Sequence, residues 1–121
     1  PPSPLFPLPP SVLYKSQQYL QQNYPSPLAI ADLADRLQLS PRSFNRRFKQ
    51  ATGITASTYL QNHRLHIARE LLRTSNLSVS EIADQSGYQD DSYFCSRFKM
   101  KMGQTPLAYR QSVRGKLFKI A

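Results

Sequence analysis

Arg42, Asn45, Arg46 and Lys49 are spaced i, i+3, i+4 and i+7, so on a helix they share one face. Arginine's planar fork matches the O6 and N7 of guanine. The carboxamide of asparagine matches the N6 and N7 of adenine. Lysine is a point charge suited to phosphate. Phe44 and Phe48, one turn apart, point the other way and read as core. The alternative for the polar side is a solvated surface that touches nothing.

The same design appears again further along. Phe44, Arg47, Phe48, Lys49, Gly53 and Thr55 recur at a constant offset as Phe94, Arg97, Phe98, Lys99, Gly103 and Thr105, and Tyr59 recurs as Tyr109. The outward positions of the second copy are Asp91, Ser92, Cys95, Ser96 and Lys99. This face is shorter and less basic. Asp91 repels phosphate, yet it accepts from cytosine N4 or favours a helix N-terminus. Gln89 and Ser92 read as the base contacts there, with Ser96. Arg97, Lys99 and Lys101 read as backbone contacts. In the first copy, Arg47 lies between the faces as a phosphate clamp or plain surface.

These segments need elements to hold them. Ser11 is an N-cap candidate for a first helix with an apolar stripe of Val12, Leu13, Tyr19, Leu20 and Tyr24, stopped by Pro25. Leu28 is placed as a staple. Ile30, Leu33, Ala34 and Leu37 form a short amphipathic helix. Ser40 caps the next helix, with Pro41 at its first position and Gly53 at its end. A short helix, a tight turn and a second helix make a helix-turn-helix. Residues 55–74 read as a longer helix with Tyr59, Leu60, Ile67, Ala68, Leu71 and Leu72 inward. Ser78 or Ser80 then caps a short helix, with Val79, Ile82 and Ala83 inward. Gly87 turns the chain, and Asp90 caps the second copy. Thr105 and Pro106 open a last helix. No strand pattern of useful length is present.

The expected architecture is therefore all-α: about seven helices, with two helix-turn-helix subdomains (residues 11–54 and 75–114) joined by a long central helix. Residues 1–10 are half proline or more, a polyproline-like spacer or else a proline-recognition ligand. They read as an interdomain linker, and the chain as an excerpt of a longer protein. Residues 115–121 form a basic tail; Arg114 just before it, Lys116 and Lys119 are surface charges or phosphate contacts.

Composition agrees with a polyanionic partner. The net charge is +9 at 121 residues. So basic a domain suits nucleic acid first and acidic lipid second, or is merely soluble. The connecting rod, at 1.5 Å per residue, spans roughly 28 Å. Major-groove faces on one side of a duplex recur about every 34 Å. One chain could thus read two grooves and an asymmetric site.

A single cysteine, Cys95, excludes an internal disulfide framework and cysteine-rich zinc sites. With only His63 and His66 beside it, no metal or cofactor is expected. A redox role for Cys95 would require an exposed thiol of low pKa. No catalytic triad or carboxylate pair has suitable spacing, so no enzyme activity is expected. No apolar run is long enough for a membrane span, and there is no signal peptide.

The segments RLHIARELL and SVSEIADQSGYQDDSYFCSRFKMKMGQTPLAYR resemble the signature of the AraC/XylS family of bacterial transcription regulators. The resemblance extends over about residues 11–114. It implies an all-α DNA-binding domain with two helix-turn-helix subdomains on a long helix. It also implies transcriptional activation or repression in the cytoplasm and a separate sensing or dimerisation domain. Arg42, Asn45 and Arg46 match positions where family members contact bases, and Ser40 is placed as a phosphate contact. In the second helix many members carry arginine two places before the last phenylalanine, where this chain has Ser96. Double-stranded DNA is the expected partner and RNA polymerase a second. The domain, with two reading heads, is expected to be monomeric, and the full protein dimeric through its N-terminal domain. Some DNA-repair alkyl acceptors resemble this family but need a cysteine cluster. A nonspecific architectural DNA binder and a polymerase-interaction module are the competing readings.

Overall fold

The structure is a computed structural model that describes residues 6–120, with side chains through Gly115. It contains α1 (Pro10–Gln22), α2 (Ala29–Arg36), α3 (Pro41–Thr52), α4 (Ala56–Thr74), α5 (Val79–Gln85), α6 (Asp91–Met102) and α7 (Pro106–Ile120). No strand occurs among the described residues. The fold is the all-α arrangement expected.

Local chemistry sets the helix ends. Ser40 Oγ accepts from the Ser43 N–H at 3.1 Å and opens α3. Asp90 Oδ1 accepts from Ser92 N–H at 2.8 Å and opens α6. A free side-chain oxygen at this place satisfies amides that the helix itself leaves unpaired. Ser78 and Glu81 form a reciprocal capping box on α5. Gly53 and Gly103 close α3 and α6 in the left-handed conformation, at φ 91° and 81°.

The turns inside the two helix-turn-helix units differ. In both, an amide beyond the turn reaches back to a helix carbonyl at 2.9 Å: Leu39 to Ala34, and Tyr88 to Ala83. The residue before that amide is left-handed in each, Gln38 at φ 58° and Gly87 at φ 96°. The second unit then inserts one extra residue, Gln89, before its cap. A side chain disfavours the left-handed region by about 1–2 kcal/mol, and glycine gives back part of that as chain entropy. Gln38→Gly is expected to raise the stability of the first unit by about 0.5 kcal/mol, read as a higher urea midpoint. A lower midpoint would mean that the glutamine side chain does something useful there.

The chain divides within α4, between His63 and Arg64, into two compact units. Each has its own core. In the first, Leu20, Leu33, Phe44, Phe48 and Leu60 are buried, and the Phe44 and Phe48 rings meet edge-on with centroids 5.9 Å apart. In the second, Leu65, Leu72, Ile82, Phe94 and Phe98 are buried, and Phe94 and Phe98 repeat the 5.9 Å spacing. The apolar side of the repeat is therefore core in both copies.

Four expectations are corrected. Ser11 does not cap α1, because the helix already starts at Pro10 behind Pro9. Leu28 is 58% exposed and staples nothing. Residues 6–10 are not a bare spacer: Leu8 is buried in the first core, and its N–H reaches the Arg47 carbonyl at 3.4 Å. One leucine among prolines still gains by leaving water, whatever the backbone preference around it. Residues 1–5 lie outside the described residues.

The fourth correction is Arg114. It is half-buried, and its guanidinium donates to the Ser75 carbonyl and to Asn76 Oδ1, the latter at 2.9 Å. Arg110 joins it, donating to the Leu72 carbonyl at 3.1 Å and the Ser75 carbonyl at 3.2 Å. Two cations thus close the C-terminal end of α4, where carbonyls lack intrahelical donors and the helix dipole is negative. The side chains of Lys116 and Lys119 lie outside the described residues.

Candidate nucleic-acid interface

On α3 the buried phenylalanines fix which side faces out. Arg42, Arg46 and Lys49 are exposed on that side. Among the described residues none of the three is ion-paired; Arg73–Glu70 is the pair present there, at 2.5 Å. Three like charges on one stripe repel each other in the free protein. A polyanion laid along the stripe relieves that repulsion. Ser40 is exposed at the N-terminal end of α3, with its hydroxyl proton still free to donate while the oxygen caps.

Arg47 is half-buried at the edge of this face. Its Nε is enclosed and has no hydrogen-bond partner in the protein. Arg97, its counterpart on α6, repeats the feature, with Nη1 3.8 Å from Met100 Sδ. In both copies the arginine stem is packed down.

Asn45 is already engaged within the protein. It is half-buried, and its Oδ1 accepts from the Ser57 N–H at 2.9 Å and the Ser57 hydroxyl at 3.2 Å. Pairing with adenine through both ends of the carboxamide requires that oxygen. The sequence carried no sign of this bond, which joins residues on different helices.

On α6, Ser92, Ser96 and Lys99 are exposed together, and Gln89 is exposed in the preceding turn. Cys95 is half-buried. Burial pushes its thiol pKa up, and the nearby Asp91 carboxylate pushes the same way. A thiol held protonated is a poor redox sensor. Lys101 is exposed but falls about 180° around the helix from Ser92, at 3.6 residues per turn. It therefore lies off the Ser92–Ser96–Lys99 face, as Arg97 does by about 140°. No group of three or more His, Cys, Asp or Glu that could hold a metal is found among the described residues.

Comparisons with known proteins agree with this geometry. A family model described as a helix-turn-helix domain matches residues 33–112. The bifunctional transcriptional activator/DNA repair enzyme AdaA of Bacillus subtilis is 37% identical over 94 residues, covering 78% of this chain and 44% of that protein. The transcriptional activator RhaR of Yersinia pseudotuberculosis is 40% identical over 92 residues, covering 76% of this chain and 32% of that protein. The chain therefore spans less than half the length of these relatives. Among solved structures, the DNA-binding domain of the global transcriptional factor AdpA, in complex with a target DNA, superposes with a TM-score of 0.79 at 30% identity. It covers 86% of this chain and 94% of that one. With two helix-turn-helix units, a basic outward face on α3 and these relatives, the chain belongs to the AraC family as a helix-turn-helix DNA-binding domain of a transcription regulator.

Proposed function

We propose that the chain reads duplex DNA sequence-specifically, with α3 and α6 as recognition helices in successive major grooves. The observation that carries this is the α3 face: exposed Arg42, Arg46 and Lys49, unpaired to carboxylates among the described residues, on a helix anchored by buried Phe44 and Phe48. The repeat of the same frame in α6 supports a second reading head.

The roles follow from side-chain chemistry. Arg42 and Arg46 take base edges, while Lys49, Arg47 and Ser40 hold phosphates. On α6, Gln89, Ser92 and Ser96 take base edges through shorter and weaker donors, while Lys99 and Arg97 hold the backbone. Most of the affinity and most of the sequence preference then come from α3. One chain carries both heads, so it acts as a monomer on an asymmetric site. The fragment performs no catalysis in this reading.

Arg46→Ala is expected to weaken binding to the preferred site by about 1–3 kcal/mol and to relax the preference at one base pair. Titration of the variant against the preferred duplex and against random duplex checks this. An equal loss on both would move Arg46 to a phosphate and favour the architectural binder.

A further inference from the structure

The Asn45–Ser57 bond changes what α3 can read. A backbone N–H only donates, so the atom it meets at 2.9 Å is the amide oxygen. The Ser57 hydroxyl reaches the same oxygen at 3.2 Å. Ser57 lies in the first turn of α4, whose leading amides have no intrahelical partner. Thr55 Oγ1 already takes one of them, the Thr58 N–H at 3.1 Å. Asn45 takes another. Its side chain thus acts as a second cap on α4, supplied from α3.

The second copy shows what happens without this clasp. The position matching Asn45 is Cys95, whose thiol packs against the second core, and the position matching Ser57 is the 54%-exposed Leu107. The cap of α7 among the described residues is Thr105 Oγ1, accepting from Ala108 N–H at 3.1 Å. The clasp belongs to the α3 head, the one whose outward face carries both arginines.

We infer that Asn45 is a positioning residue that fixes α3 against α4, and that the block of DNA read by α3 is specified by Arg42 and Arg46 as a pair of guanines. The inference rests on the reading above that α3 faces a major groove. With its oxygen held, Asn45 can offer only its N–H2 group outward and cannot complete the two-point contact that selects adenine. Arg42 and Arg46 are one turn apart, about 6 Å along the axis at 1.5 Å per residue. Base pairs stack every 3.4 Å or so, so the two guanines should stand about two steps apart. They can lie on either strand, because guanine presents O6 and N7 in the same groove from both.

Two measurements on the whole chain test this. The first uses no DNA: amide hydrogen exchange at Ser57. In Asn45→Ala the Ser57 amide should exchange faster, while Asn45→Asp, which keeps an acceptor oxygen, should retain protection. Unchanged exchange in Asn45→Ala would overturn the clasp. The second is selection of bound duplexes from a random library by the parent chain, Asn45→Ala and Arg42→Ala. The parent should select two guanines about two steps apart in its strongest block. Asn45→Ala should keep the same base preferences while losing roughly two- to tenfold affinity on every duplex, the worth of one ordinary hydrogen bond. Arg42→Ala should erase one guanine. If Asn45→Ala instead erases an adenine at one position, Asn45 reads bases and the inference fails. If the parent enriches no sequence, the DNA-reading proposal fails and the guanine pair with it, while the exchange result still decides the clasp.

Discussion

Phe98→Ala is expected to lower the stability of the second unit by about 3–5 kcal/mol, a large share of what it holds. Phe98 is fully buried, with its ring 5.9 Å from Phe94 and 5.7 Å from Tyr109. Removing the ring loses its transfer energy and opens a cavity between two aromatic neighbours that cannot close it. A unit of this size holds only about 3–9 kcal/mol in total, at 0.05–0.15 kcal/mol per residue. Circular dichroism should show the second unit melting at a markedly lower temperature, with a separate later transition from the first unit. Phe98→Leu should recover most of the loss, because it restores apolar volume. A cost below about 1 kcal/mol for the alanine variant would mean that the core repacks around the gap.

Affinity for DNA should fall about 150-fold when salt is raised fourfold, from about 50 to about 200 mM. The proposed phosphate contacts include four cations: Arg47, Lys49, Arg97 and Lys99. Each displaces condensed counterions, which gives a log–log slope of about −3.6. Lys49→Ala should make the slope shallower by about 0.9, on preferred and random duplexes alike. Lys101→Ala should leave it unchanged, because Lys101 lies further around the helix from Ser92 than Arg97 does, about 180° against about 140°. Binding measured across a salt series decides both. A slope near zero would remove the phosphate contacts altogether. A shallower slope in Lys101→Ala would return that lysine to the interface.

The sequence was most informative where order is local. Caps at Ser40 and Asp90, stops at Gly53 and Gly103, and the buried phenylalanine pairs follow from spacing alone, while spacing left the α5 cap between Ser78 and Ser80 and the capping box with Glu81 decides for Ser78. Each involves residues within a turn or two of one another. The features it concealed join distant residues. Leu8 folds back onto α3, Asn45 reaches α4, and Arg110 and Arg114 reach across from α7 to the end of α4. Charge was misleading in the same way. Arg114 reads as a solvated cation, and only its carbonyl partners reveal a structural one. The repeat was legible, but its break was not: Gln89 lengthens one turn, and Gln38 takes a backbone conformation that Gly87 adopts more easily.

The clamp of Arg110 and Arg114 on the end of α4 has a consequence for how the chain is made. Synthesis runs from the N-terminus. The last buried member of the first core is Leu60, so that unit has all its core residues soon after this point leaves the ribosome. The second cannot close α4 until Arg110 and Arg114 arrive, 38 residues beyond Leu72 in the first case. At roughly 5–20 residues per second, the two completions are separated by about 3–10 s. For that interval the nascent chain carries one finished head and one still open. Phe94 and Phe98 are then the surface that a chaperone would hold.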